Sequence, residues 1–566
     1  MSTFPLPLGA YAAFEALFDT TAPTGPASLP VPNPTRAFWT HPGLSKDWPY
    51  DENDPEGNKR INPYAKEGSE GALTQNADAV IIGAGISGIS VALELGRLVR
   101  EQRNGQKLKV VILEARDFCS GATGRNGGHL TAAISHNYST LAKMYEPEEV
   151  KRCFLLERHT VSSILALIEQ NGWGEYVNLV EGGHNVLLFS DDEEKTAKED
   201  WEMAVEAGVV TKDQITWLTK DATEKQYGAS YPMWRSAGHN LWPLKLVTKM
   251  FELARDGPSR NSKTEDFVGL ADTKRGWSIG NIVGGLFTKQ TTSQAESNAP
   301  PPYELVLHTH TPVHSVQRNR HSDEYKWELT TSRGAIYANK IVYATNAYTS
   351  HLVSHLTGPN GIVPVRGQVV AIRALVGYTD EGWPGGDGLS RSGWSGNEGF
   401  EYWFPRPHPR SSTIMDDNRP ELQKPLIILG GARETTKDRG YGMYETDDSV
   451  LDPEASHGLR TFLGHVFPGR FPSNEQHGNE DDVEVEWSGI MGFTKSGDPF
   501  VGRLKDANGD VVEGQYIVAG FTGHGMPRVY GCAQALASLV WRDIAHPETT
   551  WTPPDFLPRH YLTETF

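Results

Sequence analysis

Three glycines and one acid carry the first legible chemistry of this chain. Gly83, Gly85 and Gly88 stand in the spacing G-x-G-x-x-G, with Ile86 and Ser87 between the last two, and Glu114 closes the next apolar run before Ala115 and Arg116. The first glycine allows a sharp turn out of a strand. The second lets a pyrophosphate approach the backbone, and the third lets a helix pack closely on that strand. Free N–H groups at the helix start then face the phosphates, and the acid accepts the hydroxyls of an adenosine ribose. This is dinucleotide chemistry, and these residues alone suit NAD and FAD equally. The elements that must position them are a buried strand over residues 79–83, a helix over 89–99 and a second strand over 109–113.

Two further glycine-rich stretches let backbone pass close to a flat or phosphorylated ligand. One runs Ser120-Gly121-Ala122-Thr123-Gly124-Arg125-Asn126-Gly127-Gly128-His129. The other, Gly523-His524-Gly525-Met526, opens a helix expected over 526–544. Tyr402, Trp403 and Phe404 lie on one strand, where alternation puts Tyr402 and Phe404 on one face and Trp403 on the other.

Composition bounds the partners. The chain has 566 residues, net charge −18, 38% hydrophobic and 22% charged residues, as in a soluble globular protein with a large core. The acidic balance argues against nucleic acid or an anionic membrane as main partner, since both require a basic face. Cys119, Cys153 and Cys532 form neither a disulfide framework nor a zinc site, so a reducing compartment is expected. No apolar run is long enough to span a membrane, and the first arginine is Arg36, so no basic leader is read. The expectation is a cytoplasmic protein without a metal.

Residues 1–76 are rich in Pro, Asn and aromatics and are expected to form an arm over the surface, with Phe38, Trp39, Trp48 and Tyr50 seeking burial. Helices are expected over 146–171, 193–207 and 241–255. Strands are expected over 177–180, 185–189, 303–309, 313–317, 325–330, 335–344, 363–374, 401–404, 426–429, 483–487 and 515–519. Alternation in 303–309, 313–317 and 325–330 suggests antiparallel pairing, and 390–399 reads as a loop. The expected division is a discontinuous nucleotide-binding domain (77–150, 228–256, 303–365, 485–545), a second domain (151–227, 366–484), a Ser/Gln/Pro-rich surface insertion (257–302) and a tail (546–566).

Taken together, the fingerprint with Glu114, the SGATGRNGGH segment, Val313, the stretch Tyr343–Tyr348, the pattern Trp487-Ser-Gly489…Thr494…Asp498-Pro499 and Ala519–Gly525 resemble the FAD-dependent amino acid and amine oxidoreductases of the D-amino-acid-oxidase superfamily. The motifs are most similar to a γ-glutamylputrescine-oxidase-like amine branch. The resemblance implies an α/β fold: a Rossmann-like FAD-binding domain with an interleaved substrate domain on an antiparallel sheet. It implies FAD held by Gly83, Gly85, Ile86, Ser87, Gly88, Glu114, Ala115, Arg116, the segment Ser120 to His129, Val313, Ala344, Thr345, Gly489, Gly523, His524, Gly525 and Met526. It also implies hydride transfer from the carbon beside an amine nitrogen to flavin N5, an imine that water hydrolyses, and reoxidation by O2 to give H2O2. No side-chain base is required by that scheme; Tyr402, Phe404, His524 and Arg433 are the candidates lining the substrate side. Departures matter: Ile490-Met491-Gly492-Phe493 stands where α-amino-acid oxidases place a carboxylate-binding Arg, so amines are favoured unless Arg366 or Arg433 serves. No Cys or His matches the positions of covalent flavin attachment, so FAD is expected to be non-covalent. Ile428 stands where some members carry a Lys that assists oxygen. A flavin dehydrogenase feeding a quinone or carrier, an NADPH-dependent monooxygenase and a non-catalytic flavin module are the alternatives.

Overall fold

The computed structural model describes residues 7, 11–20, 25–41, 61–102, 106–258, 302–321, 323–376, 391–406, 424–436, 440–472 and 483–565. Trp48, Tyr50 and nearly all of the 257–302 insertion lie outside them.

The strands Asn76–Ile82, Leu108–Leu113, Tyr303–His308, Gly334–Tyr343 and Val511–Ala519 form the parallel part of the first sheet, with Asn76–Ile82 central between Leu108–Leu113 and Gly334–Tyr343. Their apolar runs are buried on both faces, as parallel strands require. Three helices, Ile86–Glu101, Pro243–Asp256 and Val529–Ala545, pack together on one face. Tyr303–His308 was expected to be antiparallel; it pairs parallel to Leu108–Leu113. Its alternation reflects an edge position with one face open, not a hairpin. The neighbouring Val313–Arg318 and Trp327–Thr331 strands do pair antiparallel.

The second sheet has eight strands, mostly antiparallel, running from Val483–Phe493 through Val363–Arg373, Leu426–Gly431 and Glu401–Pro405 to Gly393–Gly396, His184–Leu187, Met233–Ser236 and Thr216–Leu218. Helix Pro453–Val466 covers one of its faces. The expected loop at 390–399 contains the Gly393–Gly396 strand, and the expected strand at 177–180 contributes only a single bridge, Val180 to Asn240. Val483–Phe493 and Met233–Ser236 belong to this second sheet.

In the N-terminal arm, Phe38 and Trp39 find the burial expected of them. Ala37 and Trp39 are fully buried, and Phe38 nearly so. Helix Tyr11–Thr20 seats Phe14 and Phe18 against Val363, Val365 and Phe493 of the second sheet and against Phe400 and Tyr441 of its connecting turns. The arm is a core element, driven there by aromatic area that cannot stay in water. The tail is likewise tied down, with Leu557 and Tyr561 buried.

Candidate active site

The glycine fingerprint forms a close backbone cradle. Gly83 leaves the central strand at φ +112°, and a Cβ there would sit 2.6 Å from the Ala344 carbonyl oxygen. A Cβ on Gly88 would sit 2.0 Å from the Gly83 carbonyl oxygen. The helix begins at Ile86 after an extended Gly85 that supplies no side-chain cap, so its first N–H groups face the groove. The Ile86 N–H donates to Thr123 Oγ1 at 3.1 Å, which brings the second glycine-rich segment onto the helix start. Glu114 is fixed at the end of its strand by the N–H groups of Ala84 (2.9 Å) and Arg116 (3.0 Å). Burial raises its pKa, with those two donors acting against the rise. Val313, Ala344 and Thr345 border the same end of the sheet.

The Ser120–His129 segment is pinned from outside the groove. Arg125 turns its guanidinium to the carbonyls of Ser120 (2.9 Å), Ser488 (2.6 Å) and Thr35 (2.5 Å), and to the arm hydroxyl of Thr35 (3.1 Å). Its backbone carbonyl accepts from Trp487 Nε1 at 2.8 Å. Of the expected cofactor contacts, Arg125 therefore faces the groove through its backbone. Burial pushes its pKa down to about 10, partly offset by Asp448. Asp448 also holds Arg116 at 2.8 Å. Asn126 bridges the turn through Thr123 O (3.0 Å) and the Gly128 N–H (2.8 Å). The Ser120 hydroxyl, by contrast, is buried with no partner. A glycine cradle, a helix start whose cap position is a glycine, an acid fixed at the end of the next strand and an orphaned hydroxyl fit a dinucleotide.

Beyond the groove, the second sheet presents its other wall. Tyr402 and Phe404 share one face and Trp403 the opposite one, where Trp403 stacks on Trp394, as alternation requires. The Tyr402 ring lies against Gly127 and Gly430, each of which would clash with it if it carried a Cβ. His129 meets Tyr402 and Phe404 edge-on at 5.5 and 5.6 Å, and His184 meets His129 at 5.6 Å. Burial drives His129 down to about 4 and His184 to about 3, so both are neutral imidazoles near pH 7. On the edge strand Val483–Phe493, Met491 and Phe493 come forward to the Gly523 turn, and Gly367 packs on Met491. Ile490 and Arg366 pair on the other face. Arg366 is bound to the Asp447 carbonyl (3.3 Å) and faces Glu445 (3.6 Å), across a cleft it shares with Gln368, Arg433 and Asp452. The Arg433 guanidinium sits over Phe14, Phe400 and Phe493 at 5.1–5.2 Å, and its charge lowers the Tyr402 phenol against the rise that burial causes.

The Gly523-His524-Gly525-Met526 stretch is a turn, and its helix starts at Val529. Thr522 (φ +50°) and Gly523 (φ +72°) take left-handed conformations, and the Thr522 N–H is anchored on Gly492 O at 2.8 Å. His524 projects from it with its side chain 45% exposed. Its Nε2 lies 3.0 Å from Glu157, which also accepts from Arg528 Nε at 2.8 Å and from the Ala133 N–H at 2.7 Å. Sequence reading missed Glu157. The signal was available: it is a lone acid on the apolar stripe of helix Pro147–Gln170, between Phe154 and Val161. Trp39 and His184 were also missed as site residues, because only tertiary pairing brings them in.

The family described as FAD dependent oxidoreductase matches residues 78–258 and 304–539, well over half of the chain. No curated protein matches. Among solved structures, the chain is similar to glycine oxidase from Geobacillus kaustophilus (18% identity, TM-score 0.52, covering 83% of this chain and 95% of that one). It is similar to L-proline dehydrogenase from P. horikoshii (16% identity, TM-score 0.54, 87% and 98%) and to L-amino acid deaminase from Proteus vulgaris lacking its specific insertion (15% identity, TM-score 0.53, 89% and 97%). At these identities the likeness speaks for the fold. With the family match spanning both the glycine cradle and the second sheet, the chain belongs to the FAD-dependent oxidoreductases of the D-amino-acid-oxidase superfamily.

Proposed function

We propose that this FAD-dependent oxidoreductase is an amine or amino acid oxidase that acts on a carbon–nitrogen bond. The observation that carries the reading is the convergence of the Ser120–His129 segment and the Gly523 turn on the second sheet, where Tyr402 meets Gly127 and His129 and where Met491 and Phe493 meet Gly523. Bound FAD would supply the electron acceptor: hydride from the carbon beside nitrogen, an imine hydrolysed by water, and O2 reduced to H2O2. The residues named above for the groove would hold it without a covalent bond. The chain's own part is to orient the amine against aromatic walls, exclude water and handle protons. Met491 rather than an arginine comes forward to the Gly523 turn, which favours amines over simple α-amino acids. Arg433, beside Tyr402, is the remaining anchor for a carboxylate. A cytoplasmic location accords with the three free, buried cysteines.

The test is an anaerobic panel of primary, secondary and γ-glutamyl amines and D- and L-amino acids, followed by flavin absorbance. Bleaching by one amine class is expected, with peroxide released on admitting air. Bleaching without peroxide would favour a dehydrogenase, and rapid bleaching by NADPH a monooxygenase. Acid precipitation is expected to leave a colourless pellet and a yellow supernatant; a yellow pellet would overturn non-covalent binding.

A further inference from the structure

His524 and Glu157 have an arrangement that the oxidase reading does not require. Glu157 stands in the middle of helix Pro147–Gln170, and its side chain is 3% exposed. An ionised carboxylate there needs several donors to offset its desolvation, and it has three, from two separate segments. The Ala133 N–H comes from just beyond the Ser120–His129 segment. Nε2 of His524 and Nε of Arg528 come from the turn and helix start on the other side of the groove. Burial raises the Glu157 pKa, but His524 and Arg528 more than reverse this and hold it down to about 2. The carboxylate is therefore charged at all working pH values and can only accept hydrogen bonds.

That fixes the imidazole. Nε2 must carry the proton it donates to Glu157, so Nδ1 is the nitrogen left to exchange a proton. The side chain that bears it is 45% exposed, and it follows Gly523, whose neighbours are Met491 and Phe493. The charged and titratable groups around His524 are Glu157 on its helix, Arg528 on its own turn, His136 beyond Ala133, and His184 on the second sheet. His184 is held neutral by burial, and His136 has Asp200 opposite. Glu157 is thus the anion that compensates a proton arriving on His524.

We propose that His524 is the catalytic base that takes the proton from the substrate ammonium, and that Glu157 is the positioning residue that orients it and stabilises the resulting imidazolium. The inference rests on the amine-oxidase reading. In the step, an N–H bond of the ammonium breaks and an Nδ1–H bond forms on His524. The positive charge moves from substrate to imidazole, and the amine recovers the lone pair that later stabilises positive charge on the carbon. No electrons are exchanged in this step. A neutral amine is required because an ammonium has no lone pair to assist departure of hydride.

The experiment uses the FAD-loaded full chain and the amine from the panel that reduces it fastest. Flavin reduction is followed in rapid mixing as a function of pH for the native protein, His524→Ala, Glu157→Gln and Glu157→Asp. The native rate is expected to level off well below the pKa of the amine in water. His524→Ala is expected to lose about 10²-fold or more at neutral pH and to recover as pH rises toward the amine's own pKa, where free amine no longer needs a base. In Glu157→Gln the anion beside Nε2 is gone and the imidazolium is less stabilised. The reduction rate therefore falls near neutral pH with a changed pH profile, and Glu157→Asp restores part of it. A second readout is calorimetry with an amine that lacks hydrogen on the carbon beside nitrogen, in buffers of different ionisation enthalpy. Proton release to buffer is expected to differ between native protein and His524→Ala. Unchanged pH profiles in both variants, with normal flavin content, overturn this inference and leave the oxidase reading standing. A protein reduced by no amine overturns both.

Discussion

Gly88→Ala is expected to give a protein that folds poorly and carries little or no FAD. The added methyl would sit 2.0 Å from the Gly83 carbonyl oxygen and 3.1 Å from the Ile81 side chain, both on the central strand. The obstructing atom is backbone and cannot rotate away. Either helix Ile86–Glu101 lifts from the sheet or the Gly83 turn opens, and each displaces the N–H groups proposed to receive the pyrophosphate. Overpacking of this kind costs about 1–3 kcal/mol or more, and the helix is the one that Pro243–Asp256 and Val529–Ala545 pack upon, so the shift propagates. The measurement is the ratio of flavin to protein absorbance after purification in excess FAD, with thermal melting alongside. Gly174→Ala, where a Cβ meets nothing within 4 Å, serves as the control and should leave both unchanged. A Gly88→Ala protein with a full complement of FAD would contradict this account of the cradle.

The same example shows why the nucleotide-binding half was legible in the sequence. Its determinants are local: a strand, a turn that only glycine can make, a helix and an acid lie within 40 residues or so, and each obeys a rule about its own neighbours. The alternation of Tyr402, Trp403 and Phe404 was legible for the same reason. What failed was pairing at a distance. The parallel partner of Tyr303–His308 lies far back in the chain, before the 257–302 insertion, and an edge strand of a parallel sheet has the same alternation as a strand of a hairpin. Gly393–Gly396 was hidden because glycine and serine speak for a turn unless neighbouring strands supply the pairing that overrides them. The substrate side was least readable. It is assembled from the arm, a helix, two sheets and a C-terminal turn, so Glu157 and His524, or Trp39 and Phe404, become neighbours only in the fold.

Trp39→Ala is expected to destabilise the protein by about 3–5 kcal/mol and to loosen FAD, although residue 39 lies outside every flavin motif. The indole is fully buried. It stacks on Phe404 at 6.3 Å, meets Trp242 and Phe38 edge-on at 5.6 and 5.1 Å, and lies under the Arg406 guanidinium at 5.2 Å. Its Nε1–H donates to the Asn126 carbonyl at 2.5 Å, and its own carbonyl accepts from Trp242 Nε1 at 2.9 Å. Truncation therefore leaves a cavity between the two sheets and a buried carbonyl in the Ser120–His129 segment without its donor, which adds about 1–3 kcal/mol where water cannot replace it. Trp39→Phe separates the two effects: it keeps most of the packing and loses only the donor, so it should fall between native and Trp39→Ala in melting temperature while still weakening FAD. Flavin release on dilution, monitored by recovery of flavin fluorescence, should rank native slowest, Trp39→Phe next and Trp39→Ala fastest. If the arm merely lay on the surface, both substitutions would change stability by less than about 0.5 kcal/mol and leave flavin retention untouched. The ranking thus decides whether residues 25–41 are part of the site's foundation, as the burial of Ala37, Phe38 and Trp39 requires.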